Sequence, residues 1–313
     1  MGYVLITGGC GFIGRHFCDR LISLPENYSI LYVDNHVSES SLPPNRWLSS
    51  NMLEAIKNRT FEYLYMDIRD FFVLKHYSYR KFDLILHLAS IHNSSDPFST
   101  TENLSIDAEF FKFLANTPNK PNKVVYLSSS AVYPICLDKL KETSCPLTIT
   151  THSVYGMCKS VGEQLSKIAH DTYGINIVCY RPFCIYGDEF APMLKLIMAK
   201  ETLIEVGNES NDYIHVDDVI SCVLYTMNSI TNGSAINIGS GIETESKHLF
   251  KTMCDIVGHK SKIKLLQDSR LNQNHRVADT SYINSLGFIP KVEIHEGINR
   301  AIDFMIDAEL SKK

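Results

Sequence analysis

The sequence predicts an α/β fold with a doubly wound parallel sheet and a smaller C-terminal domain. Over the first 180 residues, unbroken apolar runs alternate with segments of helical periodicity. This alternation is typical of parallel strands that are covered by helices on both faces. Beyond Arg181 the elements become shorter and more varied. We therefore expect residues 1–180 to form the sheet domain and residues 181–313 to form mainly the second domain, with about 212–240 returning to the sheet.

Each predicted strand is a short apolar run that ends in polar or glycine residues. Strands are predicted at 3–6, 30–33, 61–66, 84–89, 124–127, 175–180, 213–215 and 235–238. Helices are predicted up to Leu21 and at 46–58, 71–79, 98–115, 153–173, 193–199, 216–227, 247–257 and 294–306. Gly174 closes the longest helix, and Arg181-Pro182 is expected to end the strand that follows it. Right-handed crossovers would place ligands beyond the carboxyl ends of the strands.

Composition places the chain among ordinary globular proteins. Its 313 residues are 44% hydrophobic and 21% charged, and the net charge of -5 argues against nucleic-acid or anionic-membrane partners. No apolar run is long enough to span a membrane. The N-terminus enters a strand without a basic region, so we expect no secretory signal. The nine cysteines include no C-x-x-C pair and the twelve histidines no H-E-x-x-H spacing. We therefore expect no disulfide framework, no metal site and a reducing cytoplasm.

The first strand leads into a glycine-rich turn, TGGCGFIG at residues 7–14. Gly8, Gly11 and Gly14 are spaced so that backbone N–H groups and the following helix N-terminus form a site for a pyrophosphate. The second strand ends at Asp34, where an acidic side chain can accept hydrogen bonds from ribose hydroxyls and repel a 2′-phosphate. No arginine follows it closely, which favours NAD over NADP. The simpler alternatives are a glycine loop that only turns the chain and an ordinary strand-end aspartate.

A second group of candidate residues lies at the start of the long helix. Tyr155 and Lys159 are four positions apart and therefore share one face of that helix. A phenol is a poor base at neutral pH, but a neighbouring ammonium favours the phenolate, so Tyr155 could exchange a proton with a substrate hydroxyl or carbonyl. Lys159 could also hold the cofactor's ribose. Ser129, after the fifth strand, could hydrogen-bond the same substrate oxygen. A surface Tyr–Lys pair is the simpler alternative.

A series of motifs, in order along nearly the whole chain, resembles the extended short-chain dehydrogenase/reductase superfamily. Within it, the resemblance is to the NAD-dependent nucleotide-sugar epimerases and dehydratases. The motifs are TGGCGFIG at 7–14, VDN at 33–35, MDIRD at 66–70, HLAS at 87–90, SSSAVY at 128–133, YGMCK at 155–159, RPFCIYG at 181–187 and YIHVDDV at 213–219. The resemblance implies a Rossmann domain that binds NAD, a smaller C-terminal substrate-binding domain and a nucleotide-sugar substrate.

The resemblance also implies the catalytic set. Tyr155 and Lys159 match the family's Tyr-x-x-x-Lys pair. Ser129 completes the set because the family's Ser or Thr stands four residues before the Tyr at position 133. Ser128 and Ser130 are the alternatives for that role.

Binding residues follow from the same resemblance. Asp67 and Ile68 are expected to flank the adenine. The residues expected to bind the cofactor are Gly8, Gly11, Phe12, Ile13, Gly14, Asp34, Asn35, Asp67, Ile68, Leu88, Ala89, Tyr155, Lys159, Tyr180 and Pro182. Ser130, Cys184 and Arg270 are assigned to substrate binding, and a solvated surface role is the alternative for Arg270. No residue is assigned to a metal.

Departures from the family pattern bear on the reaction. The 4,6-dehydratases place Asp-Glu after the catalytic Thr, whereas this chain has Ser130-Ala131, which disfavours simple dehydration. Fucose-synthase-like and 3,5-epimerising relatives carry a Cys at the position of Ala131. We therefore expect an epimerase that oxidises a sugar carbon to the ketone and reduces it again from the other face. A dehydratase or ketoreductase of the same superfamily is one alternative, and a non-catalytic NAD-sensing regulatory protein is another.

Further departures concern the donor nucleotide and the sugar. The usual Asn of the R-P-F-N motif is Cys184, the usual Pro after Tyr-Gly is Asp188, and the usual Arg of the substrate strand is Asn211. That Arg and that Asn commonly contact the nucleotide diphosphate, so the identity of the substrate stays open. The helices near 98–115 and 153–173 resemble the family's four-helix dimer interface, which predicts a homodimer; the same faces could instead belong to the core.

Overall fold

A computed structural model describes most of the chain and separates it into two compact units. The described residues are 2–26, 28–36, 49–92, 96–134, 138–144, 153–190, 193–194, 197, 199, 203–207, 209–258, 262–265 and 275–310. The first unit comprises Met1–Val132, Pro146–Arg181 and Val223–Ile236. The second comprises Tyr133–Cys145, Pro182–Cys222 and Asn237–Lys313.

The first unit is built around a seven-stranded sheet. Its strands are β1 (Tyr3–Thr7), β2 (Ser29–Asp34), β3 (Phe61–Tyr65), β4 (Leu84–His87), β5 (Lys123–Leu127), β6 (Ile177–Pro182) and, after the short strands described below, β10 (Asn232–Ile238). They lie in the order β10-β6-β5-β4-β1-β2-β3, and every pair from β6 to β3 is parallel. The strand order reverses between β1 and β4, which is where such sheets bind ligands. The predicted doubly wound parallel sheet is confirmed.

Helices flank this sheet. They are α1 (Phe12–Ile22), α2 (Ser50–Lys57), α3 (Ile68–Val73), α4 (Lys75–Ser78), α5 (Glu102–Asn116) and α6 (Val154–Tyr173). Both ends of α6 are set by local chemistry. The Ser153 hydroxyl accepts a hydrogen bond from the Gly156 N–H at 2.9 Å, and Gly174 ends the helix with φ of 65°, a conformation that costs glycine little. The predicted helix at 153–173 is therefore confirmed.

Several predicted elements differ in the structure. The predicted helix at 71–79 is instead α3 and α4, separated by Leu74, whose backbone is extended. The helix begins early because the Asp67 carboxylate caps it by accepting from the Arg69 N–H at 2.8 Å. The predicted strand at 84–89 ends at His87. The Leu88 N–H still donates to the Thr7 carbonyl oxygen at 3.1 Å, whereas the Ala89 N–H donates to the Thr7 hydroxyl at 3.3 Å.

The strand predicted at 175–180 was expected to stop before Arg181-Pro182. In the structure these two residues are the last two of β6. A proline has no backbone N–H to donate and its φ is fixed, so it interrupts the ladder less at the last residue of a strand than inside it. The Arg181 side chain is buried and pairs with Glu163 of α6. The strand therefore continues through a charged residue that apolar patterning alone would exclude.

The second unit has shorter elements. They are β7 (Cys184–Tyr186), β8 (Leu203–Val206), β9 (Ser210–His215), α7 (Val216–Thr226), β11 (Glu243–Glu245), α8 (Ser246–Ile256), β12 (Lys262–Leu265), β13 (His275–Arg276), α9 (Ser281–Ser285) and α10 (Ile294–Leu310). Strand β9 pairs with β7, β11 and β13, and β8 pairs with β12. Of the segment 212–240, β10 thus joins the seven-stranded sheet and β9 does not.

Residues 133–144 belong to this second unit rather than to the sheet unit that the sequence assigned to residues 1–180. Tyr133 donates its hydroxyl to Asn237 at 2.6 Å, and Leu140 forms a bridge with Ala278. These contacts join residues about a hundred or more positions apart, which sequence patterning does not reveal. The predicted helix at 193–199 lies partly outside the described residues. Residues 46–48 of the helix predicted at 46–58 lie wholly outside them.

Among the described residues, no helix is long and apolar enough to cross a membrane.

Candidate active site

The glycine turn of the first unit presents an open helix N-terminus. Helix α1 begins after Gly11, and within the described residues no side chain caps it and no acidic residue occupies its first turn. Phe12, Ile13 and Gly14 form that first turn. Its free N–H groups and the helix dipole favour an anion. The turn therefore fits the pyrophosphate of a dinucleotide.

Close backbone packing requires glycine at two positions of this turn. Gly8 has φ of 70°, and a Cβ there would lie 2.5 Å from the Ala89 backbone. A Cβ on Gly14 would lie 2.5 Å from the Cα and O atoms of Gly9. At Gly11, by contrast, the nearest protein atom would be the Gly8 carbonyl oxygen at 3.4 Å. The Gly11 position is thus open on the side where a ligand would approach.

These clearances predict different outcomes for two alanine variants. Gly14→Ala should lower stability by about 1–3 kcal/mol, because its Cβ would meet backbone atoms that cannot move independently. It should also abolish measurable NAD binding. Gly11→Ala should fold with nearly the wild-type melting temperature but bind NAD at least about ten-fold more weakly, since its methyl group would occupy the ligand side.

Thermal melts and calorimetric titration with NAD would measure both effects. Equal NAD affinity of the Gly11→Ala variant and the wild type would contradict the placement of the pyrophosphate.

One acidic residue, Asp34, ends β2, and another, Asp67, stands two positions after the end of β3. The Asp34 carboxylate accepts hydrogen bonds from the Cys10 N–H at 2.8 Å and the His36 N–H at 2.7 Å, which ties the end of β2 to the glycine turn. Asn35 donates to Asp67 at 3.2 Å. The structure therefore brings together Asp34, Asn35 and Asp67, the residues that sequence analysis expected near the ribose and the adenine.

The Asp67 carboxylate is also held by Arg69. The Arg69 side chain donates to it from Nε at 2.9 Å and from Nη2 at 2.7 Å, and these bonds lower the pKa of Asp67. The neighbouring Ile68 is buried at the start of α3. The predicted adenine pocket thus has an ionised carboxylate on one side and an apolar side chain beside it.

The end of β4 is fixed against the end of β1 by a buried polar cluster. The Thr7 hydroxyl lies 2.9 Å from Nδ1 of His87, and it accepts from the N–H groups of Leu88 and Ala89. Nε2 of His87 lies 3.3 Å from Asp107. Burial lowers the pKa of His87, so a neutral imidazole joins the two strands. This cluster holds Leu88 and Ala89 against Gly8 at the switch point.

Helix α6 presents the candidate catalytic pair. Lys159 is only 3% exposed, and its Nζ donates to the Leu127 carbonyl oxygen at the end of β5 at 2.8 Å. The same Nζ lies 5.8 Å from the ring centre of Tyr155. The ring of His92 packs edge-on against Tyr155, with 5.0 Å between ring centres. A cation is therefore fixed beside a partly exposed phenol at the carboxyl end of the sheet.

The serines that follow β5 have three different environments. The Ser129 hydroxyl accepts from the Ala131 N–H at 3.1 Å. Ser130 begins a buried 3-10 turn, Ser130–Val132, that packs against α6. The Ser128 hydroxyl donates to Glu163. Because Ser128 is bound to this carboxylate, Ser129 remains the better candidate for a substrate contact.

Sequence analysis missed the buried ion pair behind these serines. The Arg181 guanidinium donates to Glu163 from Nε at 2.8 Å and from Nη2 at 2.6 Å. Glu163 stands four residues after Lys159, so both lie on the same face of α6. An arginine inside an otherwise apolar strand was the available signal, since such a charge requires a partner.

The remaining predicted site residues lie elsewhere. Tyr180 is fully buried in β6, and its hydroxyl lies 2.7 Å from that of Thr226, so its side chain packs within the sheet. Pro182 ends β6, and Cys184 begins β7 in the second unit. Burial raises the pKa of the Cys184 thiol to about 11, so it is neutral near pH 7. Arg270 lies outside the described residues.

Comparisons with known proteins show the family of the chain. Residues 4–239 match the model of the NAD dependent epimerase/dehydratase family. The chain is 26% identical to a UDP-glucose 4-epimerase of Mycolicibacterium smegmatis, over 96% of this chain and 97% of that protein. It is 24% identical to a dTDP-D-glucose 4,6-dehydratase of Bos taurus, over 96% and 88% respectively.

A solved structure shows the same fold. It is a UDP-glucuronic acid 4-epimerase from Bacillus cereus, with a TM-score of 0.82 and 22% identity over 98% of this chain and 99% of that one. The family's cofactor is NAD, and the open glycine turn with its uncapped helix fits that dinucleotide. Because the family model matches residues 4–239, most of the chain, the chain belongs to the NAD-dependent epimerase/dehydratase family.

Proposed function

We propose that this protein is a 4-epimerase of a nucleotide-activated sugar. The observation that carries the proposal is the arrangement on α6, where the buried Lys159 ammonium is fixed by the Leu127 carbonyl oxygen and lies beside the Tyr155 ring. This arrangement supplies a proton acceptor at the carboxyl end of the sheet, where ligands bind in this fold.

Each residue of the set has a distinct task. The Tyr155 oxygen takes the proton of the sugar hydroxyl and later returns it to the carbonyl oxygen. Lys159 is held beside the Tyr155 ring by the Leu127 carbonyl oxygen and binds the ribose of the cofactor. Ser129 hydrogen-bonds the sugar oxygen and holds it in line with Tyr155. NAD, held by the glycine turn at the start of α1, would supply hydride acceptance and return, the chemistry that oxidation of the sugar to the ketone and its reduction from the other face require.

The residues after Ser129 favour epimerisation over dehydration. Elimination of water needs a general acid and a general base, and the family's 4,6-dehydratases carry Asp-Glu directly after the catalytic Thr. Ser130 and Ala131 stand there in this chain, and neither side chain can act as a carboxylic acid or a carboxylate. The relative named a UDP-glucose 4-epimerase supports the same choice, while the relative named a dehydratase keeps elimination as the second candidate.

Product analysis tests the proposal directly. We expect the purified protein, supplied with NAD, to convert one of a panel of UDP-, dTDP-, GDP- and CDP-sugars into a mixture of the two C4 epimers. Proton NMR should show the mixture without net formation of NADH and without loss of water. A 4-keto-6-deoxy product would identify a dehydratase, and a net change in NADH would identify a ketoreductase or dehydrogenase. NAD binding without turnover of any sugar would favour a regulatory protein.

We also propose a homodimer formed through α5 and α6. These helices pack against each other, and α6 leaves the apolar side chain of Ile168 52% exposed. Covering that face with a second copy would remove apolar surface from water. Light scattering after size exclusion would show a mass near 71 kDa, twice the 35.5 kDa of one chain.

A further inference from the structure

A buried carboxylate of α5 takes no part in the proposed reaction. Asp107 is only 2% exposed. Its Oδ2 accepts a hydrogen bond from the Tyr126 hydroxyl at 2.7 Å, and its Oδ1 lies 3.3 Å from Nε2 of His87. In the described part of the chain, no lysine or arginine forms a salt bridge with it. Because an aspartate is seldom buried without a reason, this side chain calls for an explanation.

The hydrogen bonds around Asp107 leave it as a charged acceptor. The Thr7 hydroxyl accepts from the two N–H groups that follow His87, so its own proton points to Nδ1 of His87, 2.9 Å away. Nε2 of the neutral imidazole then carries the ring proton and donates to Asp107. Burial raises the pKa of Tyr126, so that hydroxyl donates as well. With a donor at each oxygen, the carboxylate needs no proton of its own.

Tyr126 connects this negative charge to Lys159. Its hydroxyl binds Asp107, and the face of its ring lies 5.1 Å, measured to the ring centre, from the Lys159 Nζ. The same Nζ donates to the Leu127 carbonyl oxygen. The next carboxylate along α6, that of Glu163, is already paired with an arginine. The buried ammonium is thus held by a carbonyl oxygen and an aromatic face, the second of which Asp107 fixes from behind.

A glycine in α6 leaves room for this arrangement. Gly162 stands three residues after Lys159, inside the helix. A Cβ at this position would overlap the Tyr126 hydroxyl and lie 2.8 Å from Oδ2 of Asp107. Glycine inside a helix is less favourable than alanine. Its presence here therefore fits a helix that must approach the Tyr126–Asp107 hydrogen bond closely.

The simpler explanation of this cluster is structural. Asp107 joins α5 to β4 through His87 and to β5 through Tyr126, and these bonds alone would stabilise the sheet unit. In that case, loss of the carboxylate would have the same effect whether or not Lys159 is present. A role toward Lys159 predicts that the effect depends on the ammonium.

We propose that Asp107 is a positioning residue for Lys159 and acts through the ring of Tyr126. The inference rests on the proposed function, because it takes Lys159 to bind the ribose of NAD. The hydrogen bond to Asp107 fixes the plane of the Tyr126 ring and increases the electron density of the face that meets the ammonium. The negative charge of Asp107 also offsets the buried positive charge of Lys159. Because Asp107 is buried, it does this without touching cofactor or sugar.

Calorimetric titration with NAD in two backgrounds tests this role. Asp107→Asn keeps the shape of the side chain and removes its charge. With Lys159 present, it should raise the Kd for NAD by about three- to thirty-fold, the upper value being that of a desolvated cation–π contact. In the Lys159→Met background, the same substitution should change Kd by less than about two-fold, because no ammonium is left to position.

Further variants serve as a control and as a second route. Asp171→Asn removes an exposed carboxylate from the same helix and should leave the Kd for NAD unchanged. If Asp107→Asn does not fold, Tyr126→Phe takes its place, since it keeps the ring and removes only the bond to Asp107. It should raise Kd when Lys159 is present and not in the Lys159→Met background.

Kinetics add a readout that a structural role would not move. With the active nucleotide sugar and saturating NAD, Asp107→Asn should lower kcat, because the ribose and its nicotinamide are held less firmly. The KM for the sugar should stay within about two-fold of wild type.

The outcomes separate this inference from the proposed function. Equal Kd values for wild type and Asp107→Asn, or an equal loss of affinity in both backgrounds, would overturn the role of Asp107 and leave the proposed function intact. If Lys159→Met alone bound NAD as tightly as wild type, the task given to Lys159 in the proposed function would be contradicted, and this inference would fall with it.

Discussion

Replacement of Tyr155 by phenylalanine is expected to lower the rate of sugar turnover by about a hundred- to ten-thousand-fold, the range attributed to general acid–base catalysis. Phenylalanine keeps the ring that packs edge-on against His92 and removes only the oxygen that exchanges the proton. Lys159 remains bound to the Leu127 carbonyl oxygen, so the cofactor side of the site should be undisturbed. NAD affinity is therefore expected to stay within about two-fold of wild type.

Initial rates with the active nucleotide sugar, together with calorimetric titration of NAD, would measure the two effects separately. Tyr173→Phe is the matched control, since Tyr173 lies at the far end of the same helix and is 47% exposed; it should leave both quantities unchanged. Full activity of Tyr155→Phe would refute the assignment of the proton acceptor.

Replacement of Glu163 by leucine should lower the free energy of unfolding by about 3–5 kcal/mol, the cost measured when one member of a buried ion pair is removed. Arg181 is 5% exposed and would lose the carboxylate that accepts from its Nε and Nη2. Ser128 would lose the same acceptor. Because Ser128 directly precedes Ser129, the candidate catalytic serine, we expect turnover to fall as well.

Urea denaturation would measure this loss. The double variant Glu163→Leu with Arg181→Met should recover much of the stability, because it removes both charges. Lys167→Met, which breaks the exposed pair with Asp171 on the same helix, should cost less than about 1 kcal/mol. If Glu163→Leu cost no more than Lys167→Met, the pair would not be buried in solution.

The glycine turn shows which features the local sequence could predict. Its glycine spacing after an apolar strand predicted a turn and a helix start, and the structure confirms them between the end of β1 at Thr7 and the start of α1 at Phe12. The acid at the end of β2 was predicted from the apolar run before it. The spacing did not reveal why glycine is required at position 14. That reason is the 2.5 Å approach of the Gly9 backbone, which exists only once the turn is folded.

Helix α6, which carries the candidate pair Tyr155 and Lys159, shows what the local sequence could not predict. The spacing of Tyr155 and Lys159 predicted that they share a face of a helix. It could not predict that Lys159 would be buried against the Leu127 carbonyl oxygen, nor that His92 would pack against Tyr155. These contacts join separate elements of the chain, and no periodicity in the sequence records them.

The sequence by itself determined the fold class, most of the order of strands and helices, the glycine turn and the spacing of Tyr155 and Lys159, because the patterns that predict them lie within short stretches of the chain. The tertiary structure decided the partners of the charged and polar groups: Thr7 with His87, Glu163 with Arg181, and Tyr126 with Asp107. These outcomes depend on strand order and register, which bring together residues far apart in the chain. Whether a buried charge finds a partner there is set by the folded arrangement, since burial and pairing are properties of the surroundings rather than of the residue.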